Sequence, residues 1–592
     1  MTQLRPRLVY DGQCGFCRYT VDYARALTGD SVEYRAYQDV ADEHAGVGIS
    51  EFAASIQLFN GAARYQGAAA AFETLALGGR GTWIALYRRL PGFAALSEWL
   101  YQLTARHREL CYTIGRALFG PRLGPRTHVR IGDLLFRGIA LCGLIAFLSF
   151  WWQAMALIGS HGILPVAPFL DAVAAGYGSE RFWLLPTLFW LNDSDPAIHA
   201  VCGVGVLAAA VALTGRLRVS AAVTAYVCYL SLVHAGQVFM AYQWDILLAE
   251  CLVLAAVIAR APTLGVWVAR LLLFRFMLLS GAVKLLSGDS TWADATALQY
   301  HFETQPLPSV LAWYAQQLPP TVLRWGVYAT FVIELVLPFL IFLPRNPRLL
   351  ALGGFVLLEV LIALTGSYGF FNLLTMVLCI ALLDDPIEPP ARAARGHPRR
   401  RWFTRALALL VMVQGLTIVA ATLMRQSSPN WTRLTAPLFL ANGYGLFAVM
   451  TTQRDELVIE GSMDGERWLA YRFPFKPGQP TRAPVWAAPH QPRVDWQMWF
   501  AALGPPAQSP WIYDFASRLL EAEPVVLGLI EDPFQGQAPA LLRIQRLRYR
   551  FSTPEARARS GAWWQRGPAE TWLGPLRLRR PIVSHGPLTI EP

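Results

Sequence analysis

Two cysteines three residues apart, Cys14 and Cys17, sit in the run Tyr10-Asp11-Gly12-Gln13-Cys14-Gly15-Phe16-Cys17. An apolar strand, Arg7–Tyr10, precedes them and a helical pattern, 15–27, follows. At a helix N-terminus the macrodipole and the unbonded N–H groups favour a thiolate, so Cys14 is the expected nucleophile. Cys17, about one turn on, can resolve a mixed disulfide. Asp11 ends the strand beside the thiols and joins them as a catalytic candidate. The same pair would serve as half of a zinc site, but no second CxxC or CxxH lies nearby in sequence.

A second group of chemistry-bearing residues is set among apolar runs. Arg275, Glu250, Glu334 and Glu359 each fall near the middle of an apolar stretch, where a lone charge is costly, so Arg275 is expected to meet at least one of these carboxylates. Lys284 lies near the end of its stretch. Such lysines usually snorkel to the interface; the sharper reading is a desolvated base. Asp245, Asp289, Asp294, His301 and Glu303 are candidates to converge on it. His301 and Glu303 are two ligands at most, too few to predict a metal site. No cofactor motif is present.

Positioning these residues takes three kinds of chain. The sequence has 592 residues, 54% hydrophobic, and a net charge of +11, with mean hydropathy +0.34. That length exceeds one domain, and that balance points to a multi-pass membrane protein. The arginines cluster in short loops between apolar runs, which is a positive-inside pattern and argues against nucleic-acid binding. The expected fold is a multi-pass α-helical membrane protein with an N-terminal α/β thioredoxin-like domain and a C-terminal β-rich soluble domain.

Residues 1–115 form the expected first domain, with further strands at 32–37 and 55–59 and a helix at 67–76. A basic linker, 116–132, leads to a membrane domain, 133–424. About nine spans are predicted there: 133–158, 197–214, 219–237, 242–259, 264–284, 322–343, 349–365, 369–383 and 403–424. Residues 165–190 read as an interfacial or re-entrant piece. A β-rich domain, 425–592, ends the chain, with a hairpin turning at Asp464-Gly465, a short amphipathic helix at 494–503 and a strand at 541–551. Cys142, Cys202, Cys228, Cys251 and Cys379 lie in apolar helices as small hydrophobes, and Cys111 stands alone. The N-terminus lacks the apolar core of a signal peptide, and the expectation is a cytoplasmic first domain. With Arg216, Arg218, Arg260, Arg345, Arg348 and the stretch from Arg392 to Arg405 inside, nine spans put the C-terminal domain outside.

Residues 5–115, with strand and DGxCxxC, resemble the DCC family of thiol-disulfide oxidoreductases. The motifs WDILLAE (244–250), QYHFETQPLPSVLAWY (299–314), TGSYGFFNLLT (365–375), NGYGLFAVMTTQRDELVIEGSMDGERW (442–468) and APHQPRVDWQMWFAALG (488–504) resemble the lipase maturation factor family. That resemblance spans residues 130–575. It implies a multi-span membrane protein assisting the folding of secreted lipases, with a translocated client as partner. In a bacterial cell it implies an inner-membrane protein with its C-terminal domain in the periplasm. Tyr444, Phe447, Trp496, Trp499 and Phe500 are the client-binding candidates, with ordinary core as their plainer reading. The dithiol's redox partner is not named by the sequence, and enzymatic activity is left open outside the N-terminal domain. A shorter stretch, SGAVKLLSGDSTW (280–292), is similar to the membrane segment of the vitamin K-dependent γ-carboxylase family. It implies the alternative of a membrane-embedded redox or carboxylase-like enzyme acting on a lipid or quinone, with Lys284 as its base.

Overall fold

Alternation along one short strand organises the first compact unit. Leu8 faces one side with Val21, Val32, Leu58 and Ala70; its neighbour Val9 faces the other with Val40 and Phe52. Side chains alternate across a strand, so β1 (Arg7–Tyr10) supplies both cores. In the computed structural model, which describes residues 5–44, 46–124, 127–385, 398–579 and 589–591, β1 pairs in parallel with β2 (Glu33–Ala36) and antiparallel with β3 (Gln57–Asn60), which pairs with β4 (Ala63–Gln66). The order is β2-β1-β3-β4. Helices Gly15–Thr28 and Gly67–Leu77 fall where the apolar pattern predicts them. Glu98, on helix Phe93–Arg106, accepts from the backbone N–H groups of Ala68 and Ala69 at 3.2 and 3.1 Å. This carboxylate satisfies orphan donors at the start of helix 67–77. The unit takes in residues 1–128 and the short segments 342–350 and 383–396. Arg126 and the basic stretch 388–397 lie outside the described residues.

The second unit holds the apolar helices and the rest of the chain. Helices occupy each of the nine ranges where spans are predicted, beginning with Val129–Ile158 and closing with Pro398–Leu423. Six of the described helices are long and apolar enough to cross a membrane: Val129–Ile158, Asp195–Leu213, Pro262–Leu286, Pro320–Leu340, Arg345–Thr365 and Trp402–Leu423. Gln243–Arg260 carries Asp245, Glu250 and Arg260, and Phe371–Leu382 is short. Residues 165–190 form the helix Val166–Tyr177 and shorter turns, with Phe182, Trp183 and Leu184 exposed. The five cysteines of the apolar helices are buried free thiols.

After residue 424 the chain builds an antiparallel sheet in the order β6-β5-β7-β8-β9, from β5 (Arg454–Ser462), β6 (Leu469–Ala470), β7 (Leu541–Phe551), β8 (Trp564–Arg579) and β9 (Thr589–Glu591). The Asp464-Gly465 turn joins β5 to β6. Asp464 accepts from the N–H groups of Glu466 and Arg467 at 2.9 and 2.8 Å, and Gly465 takes a φ of +80° that glycine tolerates. These bonds hold the Asp464 carboxyl well below its usual range. The helix Arg493–Ala502 was expected to be amphipathic, yet it is buried without a break from Arg493 to Met498. The sheet and this helix cluster in the same compact unit as the apolar helices.

Candidate functional site

Cys14 is the N-cap of helix Gly15–Thr28, and its sulfur accepts from the Cys17 N–H at 3.3 Å. Cys14 is half-buried and Cys17 buried. The loop before them is tied by Asp11 and Gln38. Asp11 accepts from the Gln13 N–H at 3.0 Å and the Gln38 amide at 2.8 Å, while Gly12 N–H donates to Gln38 Oε1 at 3.0 Å. A Cβ on Gly12 would lie 2.6 Å from that of Ala36, so the close approach of loop to strand requires glycine there. Arg108, from helix Arg108–Phe119, reaches within 3.9 Å of Asp11 Oδ2. Burial, then the hydrogen bond to Cys14 and its charge, push the Cys17 thiol up to about 12; Arg108 works against this. Cys17 is therefore held as a thiol beside the start of the helix. Arg108 was not singled out by sequence reasoning, since it reads as one of several arginines before the membrane region.

In the second unit the charged candidates do not gather at one centre. They separate into four buried clasps, three of which join the apolar helices or the loop beyond them to chain after residue 440. Glu250 accepts from Arg275 Nη2, from Tyr444 Oη at 2.8 Å and from Asn442 Nδ2 at 3.1 Å. Arg275 thus meets a carboxylate as its apolar setting demands. Gly415 makes room for it: a Cβ there would collide with the guanidinium. Asp245 does not approach Lys284. It is held in a fork by Arg493, with bonds of 2.5 and 2.8 Å, and accepts from Tyr229 Oη at 2.6 Å; both partners are 0% exposed.

Lys284 does not snorkel. It is 4% exposed, donates to both oxygens of Glu334 at 2.9 and 2.7 Å and to Ser280 O at 3.0 Å, and lies 5.3 Å from the centre of the Trp292 ring. Two features make this possible. Glu334 sits in a π-helical turn, Val332–Val336, and Gly281 lets that helix close in, since its Cβ would lie 2.8 Å from Glu334 Cβ. Lys284 is thus paired with Glu334 rather than left without a partner. Glu359 accepts from the Asn372 amide at 2.7 Å.

The fourth clasp is centred on Arg454, which bonds Glu456 at 2.9 and 2.6 Å and the carbonyls of Glu303, Gln305 and Pro306. Glu303 turns its carboxylate to the Phe551 N–H at 2.7 Å, and so serves the sheet rather than Lys284. Asp289 accepts from the N–H groups of Thr291 at 2.8 Å and Met450 at 2.5 Å, while Asp294 is exposed. His301 is buried edge-on to Phe447, with ring centres 5.0 Å apart; burial, then the charge of Lys284, push its pKa down to about 4. Among the described residues, no cluster of three His, Cys, Asp or Glu is placed to hold a metal.

The aromatic candidates are largely core. Trp496 and Tyr444 are each 3% exposed, so neither is a surface anchor. Trp496 packs against Trp244 and Tyr242. Phe447 and Trp499 are half-buried, with Trp499 donating to Thr304 O at 2.9 Å; Phe500, 42% exposed, faces outward. Sequence reasoning missed Arg493, Arg454, Asn442 and Gln153. Gln153 accepts from Arg493 N–H and donates to Gln491 O, both at 2.8 Å. A glutamine inside a 30-residue apolar helix was the available signal.

Every motif that carries the family resemblance contributes to these clasps or the bonds around them. Comparison with known proteins agrees. The profile described as "Lipase maturation factor transmembrane domain" matches residues 131–388, "Lipase maturation factor C-terminal domain" matches 440–573, and "DCC1-like thiol-disulfide oxidoreductase" matches 8–113. Lipase maturation factor 2 of Mus musculus is 34% identical, over 78% of this chain and 84% of its own length. The Gallus gallus protein of the same name is 33% identical over 78% and 82%. Lipase maturation factor 1 of Bos taurus is 31% identical over 78% and 92%. No solved structure matches. The chain belongs to the lipase maturation factor family, with a DCC1-like thiol-disulfide oxidoreductase domain fused at its N-terminal end.

Proposed function

We propose that this protein assists the maturation of translocated lipases, holding a client at the face built by residues 425–592, while Cys14 and Cys17 carry out thiol-disulfide exchange on a separate partner. The observation that carries this reading is the family match through both the transmembrane and the C-terminal profiles, whose residues meet in the buried bonds of Tyr444 and Asn442 to Glu250 and of Arg493 to Asp245. A rigid outer face suits a protein that binds clients in the act of folding. Exposed Phe500 and the neighbouring Trp499 are the side chains proposed to touch the client.

If all nine ranges read from the sequence cross the membrane, the arginine distribution favours a cytoplasmic dithiol domain with the sheet on the opposite side, which in a bacterial cell is the periplasm. In that orientation the dithiol is across the membrane from the client, so client oxidation is not its task. The experiment is the specific activity of lipases secreted by the parent cell, with the gene deleted and then restored. A fall on deletion and recovery on restoration supports the reading. Unchanged activity for every secreted lipase would overturn it. A Cys14→Ser variant should still restore lipase activity.

A further inference from the structure

Beside the dithiol lies a cavity of about 390 Å3 whose wall includes Cys17 but not Cys14. Phe16, Phe52, Phe72 and Tyr101 give it aromatic sides, and Arg108 and Asp11 are its charged groups. The two sulfurs thus face different surroundings. Cys14, half-buried at the helix start, is open to a protein disulfide. Cys17 lines a half-open, largely apolar pocket with room for a substituted ring and a short tail.

From this geometry we infer that the cavity is a binding site for a quinone, which takes two electrons from the dithiol through Cys17. The inference rests on the dithiol reading of Cys14 and Cys17. Aromatic walls suit a flat ring, and Arg108, whose Nη2 donates to Ala54 O at 2.6 Å, keeps further N–H groups for a carbonyl oxygen that gains negative charge. The Cys17 sulfur adds to a ring carbon, and its proton passes to the carbonyl oxygen near Arg108. The Cys14 thiolate, its own proton already released to solvent, then attacks the Cys17 sulfur. The S–S bond forms as the C–S bond breaks, and the departing hydroquinone anion takes up one proton from solvent. In sum, two thiols and one quinone give one disulfide and one hydroquinone.

The test uses the full chain in detergent, fully reduced, and a short-tailed, fully substituted benzoquinone that cannot be trapped as a stable thioether. Quinone absorbance and free thiols are followed together, and exchange with a model peptide disulfide is measured on the same samples. The expected result is saturable quinone reduction matched by loss of two thiols. Ala71→Phe and Ala105→Phe, which fill the cavity from two helices, should lower kcat/KM for quinone by about tenfold or more and leave peptide exchange intact. No quinone reduction while exchange proceeds overturns the quinone site and leaves the dithiol standing. A non-saturable rate, equal in both filled variants, overturns it as well. Failure of both reactions would instead remove the dithiol reading itself.

Discussion

Arg493 grips Asp245 across 248 residues of chain, with Nη1 and Nη2 each taking one carboxylate oxygen. The pair is wholly buried, and Arg493 also donates to Phe239 O at 2.9 Å. Its value lies in what happens when half of it is removed: a buried charge left alone typically costs about 3–5 kcal/mol, whereas replacing both partners by apolar residues can be neutral. Arg493→Met should therefore lower stability by about that amount, and Asp245→Leu combined with Arg493→Met should recover much of it. Thermal unfolding of the purified protein in detergent checks this. Equal losses in the single and double variants would contradict it.

Gly415 tests the Glu250–Arg275 clasp from the side. Its missing side chain is the space that the guanidinium fills. Gly415→Ala should destabilise by about 1–3 kcal/mol despite alanine's better helix propensity. A stability gain would show that Arg275 has another way to lie.

For the dithiol, iodoacetamide should label Cys14 well before Cys17, because the Cys17 thiol is pushed up to about 12. Cys17→Ser should accumulate a mixed disulfide on Cys14, while Cys14→Ser should abolish exchange. Mass spectrometry of the trapped adduct reads both outcomes; an adduct formed on Cys17 would reverse the assignment.

A buried and a half-buried histidine set an acid limit. His301 and His490 are both pushed down to about 4, chiefly by burial. The unfolded chain takes up these protons near pH 6.5, and the folded chain only near pH 4. Stability is thus complete above about 6.5 and falls as pH drops through that window, by an amount of order 3 kcal/mol per histidine. Asp495 acts in the opposite sense. Burial raises it to about 6, so its protonation between about 6 and 3.8 favours the folded state and offsets part of the loss. Unfolding temperatures at pH 7.5 and 5 should show the net fall, and His490→Gln should reduce it.

The helices and strands of this protein were legible because local pattern fixes them. A short apolar run marked Arg7–Tyr10 as a strand, and Asp464-Gly465 marked a hairpin turn. Arg275 was legible as a residue in need of an acid, because an apolar helix cannot tolerate its charge alone. The partner's identity was not, since three glutamates met the same condition and only packing chooses Glu250. Lys284 misled for a related reason: its position near a helix end suits snorkelling, and the π turn that brings Glu334 to it leaves no mark in composition. Arg493 and Arg454 were silent because a surface arginine and a buried one look alike until the acceptors, here hundreds of residues away for Asp245, are in place.

The distance along the chain between Asp245 and Arg493 also bears on synthesis. A ribosome adding about 5–20 residues per second needs roughly 12–50 s to pass from one to the other. Over that interval Asp245, and likewise Glu250 for its Asn442 and Tyr444 bonds, must enter the bilayer without those partners. A nascent chain halted before residue 493 carries a helix whose acid lacks the arginine that pairs it in the full chain. The C-terminal segment therefore supplies the partners of acids placed far earlier in the chain.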